Sequence, residues 1–249
     1  MMAENRKIAL ITGGSSGLGA ALTKELKEKY YVINAARREA TGADYNIYAD
    51  FSRPETVPEL AAEIETTFGR LDLLVNNAGI GAYGTFEELK NDELRLLVQV
   101  DLLAPVELTK ALLPMLECSQ GTIVNIASMA AKIHVVAMGG YCLAKSALAA
   151  FSETLRAELL PRKVRVLTVY PGRINTGFSS RSIKYREVPD TPANSNVKPG
   201  DFARKVMRAL SKPKTKRLFF PWWYRPGIWA VKLVENRYDR LNLKYWNVK

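Results

Sequence analysis

Tyr141 and Lys145 stand four residues apart in GGYCLAKSA, residues 139–147. On a helix that spacing places the two side chains on one face, one turn apart. A phenol beside an ammonium is the material of an acid/base pair. Free tyrosine has a pKa of about 10, too high for a base near neutrality, and a neighbouring positive charge favours the phenolate. The same spacing also describes an ordinary solvated pair, so its surroundings must decide.

A second stretch able to do chemistry is TGGSSGLG, residues 12–19, directly after the apolar run KIALI. Gly13, Gly17 and Gly19 permit a tight turn, close approach of the backbone to a pyrophosphate, and close packing of a following helix whose N-terminus faces the phosphates. Ser15, Ser16 and Leu18 fall in the same turn. At a strand-to-helix junction such a string points to dinucleotide binding. The next apolar run, YVINAA, ends in Arg37 and Arg38. An acidic residue there would hydrogen-bond the ribose hydroxyls of NAD, whereas guanidinium groups suit a 2′-phosphate, so NADP(H) is favoured and NAD(H) stays open. The other reading is two arginines solvating a strand end.

The elements that must position these residues alternate regularly. KIALI precedes an amphipathic stretch over residues 17–29, YVINAA one over 54–68, LDLLV one over 87–116, and GTIVNIA one over 141–160, before VRVLTVY at 164–170. This alternation predicts an α/β fold: a doubly wound parallel sheet of the Rossmann kind, about seven strands with helices on both faces. Residues 1–249 are expected to form one domain. Residues 177–199 are polar, rich in Ser, Asn and Pro, and predict a long loop, here read as a substrate loop. Helical periodicity resumes over 199–210, KRLFF predicts a last strand, and residues 227–240 predict one more helix.

TGGSSGLG, NNAG at 76–79, Ser128, Tyr141 and Lys145 in that order, and YPGRINT at 170–176 together resemble the short-chain dehydrogenase/reductase family, from about residue 7 to residue 176. The resemblance implies an oxidoreductase that moves a hydride between nicotinamide and a carbonyl or secondary alcohol. It makes Tyr141 the general acid/base, Lys145 the residue that lowers its pKa and binds the nicotinamide ribose, and Ser128 the group that holds the substrate oxygen. A strand-end cap is the plainer role for Ser128. By the same resemblance Asp50, followed by Phe51, meets the adenine, and Asn77, Ala78 and Gly79 line the ribose side. Ile174 and Thr176, after Pro171 and Gly172, would grip the carboxamide and fix which face of the nicotinamide donates hydride. A homodimer or homotetramer through residues 98–116 and 144–160 is implied as well.

One departure matters. Where the family commonly carries asparagine, holding a water that relays protons to the lysine, this chain reads VDLLAP with Asp101. A carboxylate accepts hydrogen bonds but cannot donate them, and its charge near Lys145 predicts an altered pH profile. Asp101 merely tolerating the same backbone kink is the alternative.

Composition removes several other classes. Cys118 and Cys142 form no CxxC pair, the single His134 cannot make a histidine metal site, and no HExxH or Ser/His/Asp ordering competes, so no metal is expected. Tyr83, Met138, Gly139 and His134 are positioned to line a substrate cleft. No signal-like or bilayer-length apolar run appears, and a cytoplasmic protein is expected. The net charge of +11 comes entirely from residues 198–249, which hold 14 Lys/Arg against 3 Asp/Glu, together with all four tryptophans. That mixture predicts either peripheral contact with an anionic membrane or packing of the aromatics on the last strand, over the cofactor cleft or in a subunit interface; no nucleic-acid module accompanies it. A nucleotide-binding sensor or scaffold with little catalysis is the second functional class.

Overall fold

A computed structural model describes residues 6–188 and 197–248. Seven parallel strands form the central sheet: β1 (Lys7–Thr12), β2 (Tyr30–Ala36), β3 (Tyr45–Tyr48), β4 (Leu73–Asn76), β6 (Thr122–Ile126), β7 (Arg165–Pro171) and β9 (Arg217–Phe220), in the order β3-β2-β1-β4-β6-β7-β9. The order reverses at β1, beside β4, which opens a crevice at the carboxyl ends of these strands. A separate parallel pair joins β5 (Ala82–Tyr83) to β8 (Ile183–Lys184). Part of the expected substrate loop, residues 189–196, lies outside the described residues.

Helices cover both faces, as the alternation predicts. Ile8 and Leu10 of β1 face a core shared with α2 (Thr56–Phe68), α4 (Ala104–Cys118) and α5 (Gly139–Glu158). Ala9 and Ile11 face the opposite core, against α1 (Gly17–Leu26) and α6 (Pro199–Leu210). Successive strand residues point to opposite faces, and with both faces covered an unbroken apolar run is what such a strand requires.

Three departures from the sequence reading have physical causes. The strand β3, YNIY, escapes notice because it is an edge strand with one buried residue, Ile47. The single stretch expected over 87–116 is two helices, α3 (Asn91–Val98) and α4, joined by a π-helical turn at Gln99–Leu103. Pro105 opens α4 and has no N–H to give the carbonyl of Asp101, four residues earlier, so the α-ladder is interrupted at Asp101. The single C-terminal helix is likewise two, α7 (Tyr224–Leu233) and α8 (Glu235–Tyr245), broken at Val234, whose φ of −125° and ψ of 35° are not helical.

A buried amide network fixes α5 against the sheet. Asn76 Nδ2 donates to Asn125 Oδ1 at 2.8 Å and to Thr109 Oγ1 at 3.0 Å, while Asn125 Nδ2 donates to Ser152 Oγ at 2.8 Å. β4, β6, α4 and α5 are thus joined through fully desolvated groups, where an orphaned partner is costly. Asn125→Leu, of similar volume, is expected to lower unfolding stability by about 2–3 kcal/mol. Urea denaturation reads this as a lower midpoint at unchanged slope; an unchanged midpoint would show the network to be energetically idle.

Candidate active site

The crevice at the switch point continues into a cleft of about 700 Å³. Its nucleotide end is built on the turn between β1 and α1. Gly13 and Gly17 have φ of +68° and +56°, and a Cβ on Gly19 would stand 2.0 Å from the Gly13 carbonyl oxygen. Only glycine satisfies that closeness. Ser16 caps α1 without bonding through its side chain, so the first N–H groups of the helix are open to an anion. Ser15, Ser16 and Leu18 line the cleft with the three glycines.

The turn is held from beneath by residues the sequence reading passed over. Asn34 Oδ1 accepts from Gly14 N at 2.8 Å, and Asn34 Nδ2 donates to Asn46 Oδ1 at 2.9 Å and to the Arg38 carbonyl at 3.2 Å. One side chain therefore couples the glycine turn to the loop of Arg37 and Arg38. Both arginines are exposed and line the cleft near Asp50 and Phe51. Asp50 Oδ1 is engaged by Ser52, from N at 3.1 Å and Oγ at 2.8 Å.

Thr12 Oγ1 accepts from the backbone N–H groups of Asn77 and Ala78, at 3.0 and 2.9 Å. Asn77 spends its own amide on the Thr12 and Gly13 carbonyls, at 2.9 and 3.1 Å. It therefore shapes the turn as well as lining the cleft. Ala78 and Gly79 lie alongside, and Pro171, Gly172, Ile174 and Thr176, at the end of β7, form the facing wall. The Tyr224 ring of α7 packs closely over Gly172, where an added Cβ would stand 2.3 Å from the ring and push it aside.

At the centre, α5 presents Tyr141 and Lys145 on one buried face, as their spacing predicts. Lys145 Nζ donates to the Ile126 carbonyl at 3.2 Å and lies 3.1 Å from Asp101 Oδ2, with side-chain exposures of 5% and 0%. Asp101 Oδ1 accepts from Ile80 N at 2.8 Å. The π-turn thus delivers a carboxylate directly against the lysine. A Cβ at Gly79 would stand 3.2 Å from Asp101 Oδ2 and 3.3 Å from Lys145 Nζ, so the bare glycine makes room for the pair. Ser128, just past β6, accepts from Ala130 N at 3.1 Å and lines the cleft with Tyr141. It is therefore both a cap and part of the site.

Burial pushes the Tyr141 phenol above its ordinary value and the Asp101 charge pushes it further, with the Ser128 hydroxyl opposing. The sequence reading expects Lys145, together with the positive nicotinamide ring of the oxidised cofactor, to lower that value in the loaded site. In the protein alone burial is the larger influence, and the Lys145 ammonium is paired with Asp101. Burial likewise raises the Asp101 carboxyl, against the pull of Lys145.

The remaining end of the cleft is apolar. Tyr83, Ile133, Val135, Met138, Phe178 and Trp246 line it, with the Phe178 ring centroid 5.8 Å from that of Tyr141. Gly139 and His134 are not part of the lining; His134 is outside, 2.7 Å from Asp239. Arg186 braces the rim, donating to Glu88 Oε2 at 2.8 Å and to the Asn247 carbonyl at 3.1 Å. The guanidinium, helped by the Thr85 N–H, holds the Glu88 carboxyl down to about 2. Among the described residues no cluster of metal-binding side chains occurs, and no helix is long and apolar enough to cross a membrane.

All the residues expected to touch cofactor or substrate oxygen line this one cleft; Asp101 is behind its wall. Ile80, Phe178, Arg181 and Tyr224 join them unforeseen. The arrangement supplies an anion-binding turn, a buried phenol and a serine hydroxyl in the same cleft, and an apolar pocket beside them.

Residues 7–186 match the sequence model described as short chain dehydrogenase. Over 194 residues the chain is 33% identical to mouse dehydrogenase/reductase SDR family member 7B, covering 71% of this chain and 60% of that protein. It is 32% identical over 208 residues to a Bacteroides thetaiotaomicron protein named 3-ketodihydrosphingosine reductase, covering 82% and 74%. A short-chain dehydrogenase from Streptomyces avermitilis superposes with a TM-score of 0.80 at 30% identity, over 98% and 97% of the two chains. An alcohol dehydrogenase from Thermococcus sibiricus, complexed with 5-hydroxy-NADP, gives 0.76 at 27% identity, over 87% and 96%. A Brucella melitensis 3-ketoacyl-(acyl-carrier-protein) reductase, complexed with NADH, gives 0.74 at 27%, over 86% and 96%.

Proposed function

We propose a hydride-transfer function from one premise: the chain belongs to the short-chain dehydrogenase family. It is an oxidoreductase of that family, and our reading is that it uses NADP(H) on a carbonyl or secondary alcohol. The observation that carries this reading is the meeting, in one cleft, of the glycine turn with Tyr141, Ser128 and Lys145. The N-terminus of α1, which no side chain caps, follows a turn in which Gly13 and Gly17 take positive φ, and this arrangement fits a pyrophosphate.

When bound, the nicotinamide supplies or accepts the hydride. Ser128 Oγ positions the carbonyl oxygen of the substrate, and Tyr141 Oη gives that oxygen its proton in reduction or takes it back in oxidation. Lys145 holds its ammonium between Asp101 and the Ile126 carbonyl, one helical turn from Tyr141. Because burial and Asp101 keep the phenol protonated, the resting site is set up as an acid. A preference for NADPH points to reduction. The apolar end of the cleft suits an apolar carbonyl compound, in keeping with a relative named for 3-ketodihydrosphingosine.

Cofactor choice is assigned to Arg37 and Arg38. In the double variant Arg37→Ser/Arg38→Ser, two charge-assisted contacts to a 2′-phosphate are lost, each of about 1.5–3 kcal/mol when fully formed. At these exposed positions NADPH affinity is expected to fall about 10- to 100-fold, with NADH affinity unchanged. Fluorescence titration of both cofactors checks it. Parallel losses for NADPH and NADH, or equal wild-type affinities, would return the arginines to a solvating role.

A further inference from the structure

The two C-terminal helices have strongly contrasting faces. On α7, Tyr224 and Ile228 pack inward against a cluster of Ala127, Met129, Ala149 and Tyr170, and Tyr224 lines the cleft. One turn pattern away, Pro226, Trp229, Ala230 and Leu233 are all exposed, at i, i+3, i+4 and i+7. On α8, Tyr238, Asn242 and Trp246 line the cleft, while Arg237, Arg240, Leu241 and Lys244 are exposed on the other side. Trp222 and Trp229 are each 71% exposed and Leu233 is 85% exposed. So much bare apolar surface, flanked by cations, is unusual for a face meant for water.

We propose that this outer face of α7 and α8, with Trp222 and Trp223, docks on an anionic lipid surface. The tryptophans and Leu233 enter the interfacial region, where indole rings are favourably placed. Arg225, Lys232, Arg237, Arg240 and Lys244 meet the phosphates; all five are exposed. Of the two acidic residues on these helices, Asp239 is engaged by His134. A second copy of the chain is a poorer occupant, because a two-fold contact would set the cationic stripe of α8 against itself. Lipid complements both the charge and the apolar stripe. The same helices wall the cleft from within, so docking brings the apolar pocket to the bilayer; the inference itself does not depend on the hydride-transfer reading.

Flotation of the full chain with vesicles of phosphatidylcholine and phosphatidylserine, in about a two-to-one ratio, tests the proposal. Wild type is expected to float at low salt, to be released at roughly 0.5 M salt, and to bind pure phosphatidylcholine weakly. Trp229→Ser/Leu233→Ser and Arg237→Glu/Arg240→Glu/Lys244→Glu are each expected to weaken partitioning by about tenfold or more at unchanged thermal melting. Should either variant fail to fold, brominated acyl chains must quench the tryptophan fluorescence of wild type, and less so that of the conservative Trp222→Phe/Trp229→Phe variant. Absence of wild-type flotation at low salt overturns the proposal, as does binding indifferent to both variants. A dimer that Trp229→Ser/Leu233→Ser converts to a monomer, without lipid binding, would give the face to a second copy instead.

Discussion

Tyr141→Phe is expected to lower kcat for carbonyl reduction by about 10²–10⁴-fold, the range supplied by a positioned proton donor, while NADPH binding persists. The substitution removes one oxygen and little else. The Tyr141 ring is buried at 8% exposure, 5.8 Å from the Phe178 ring and 5.9 Å from the Lys145 ammonium, and phenylalanine keeps all of that packing. Stability should fall by only about 1 kcal/mol, the worth of one hydrogen bond. The measurement is NADPH oxidation over a panel of apolar ketones and aldehydes, alongside a cofactor titration. Turnover equal to wild type would remove Tyr141 from the chemistry. Tight NADPH binding with no turnover in wild type would favour the nucleotide sensor. Because burial and Asp101 hold the phenol above its ordinary value, reduction by wild type should stay flat through neutral pH, and the reverse oxidation should still be rising there.

How much of this was legible in the sequence depends on what each residue must satisfy. The strands β1 and β6 are buried on both faces, so their apolar runs are plain; β3 buries one residue and leaves no such trace. The glycine turn is readable because close backbone contact admits no other residue at position 19. Its supports, Asn34 and Asn46, and the network of Asn76 and Asn125 went unread, although a signal existed. An asparagine inside an otherwise apolar parallel strand must find partners once desolvated, and YVINAA, LLVN and TIVNI each carry one. Periodicity could not show the π-turn, since apolar residues continue at helical spacing through it. Pro105 was the visible mark, four residues after the Asp101 carbonyl it leaves unpaired in an α-ladder. The C-terminal aromatics divided between the two expected readings: Trp246 packs into the cleft rim against Tyr83, whereas Trp222 and Trp229 are exposed. Composition counts tryptophans but cannot say which side of a helix each occupies.

Asp101→Asn makes the buried partner of Lys145 measurable. The wild-type carboxylate accepts from the Ile80 N–H at 2.8 Å through Oδ1 and pairs through Oδ2 with the Lys145 ammonium at 3.1 Å. Asparagine has one acceptor oxygen and one donor nitrogen, so whichever way it is turned, an N–H faces another donor. Lys145 is then left buried without its counter-charge. Breaking a buried pair in this way costs up to roughly 3–5 kcal/mol, reduced here because the burial that raises the Asp101 carboxyl also marks its charge as expensive to keep. The effect on chemistry has a definite sign. A negative charge near the phenol disfavours the phenolate, so its removal lowers the Tyr141 value and frees the positive field of Lys145 to act on it. The rising limb of alcohol oxidation should therefore move to lower pH, and the falling limb of ketone reduction should move the same way, because both report one group. Ultraviolet titration of the phenol and pH–rate profiles in both directions read the shift, with a urea midpoint to register the stability loss. Profiles that superimpose on wild type, with a lowered midpoint, would make Asp101 a support for Lys145 alone.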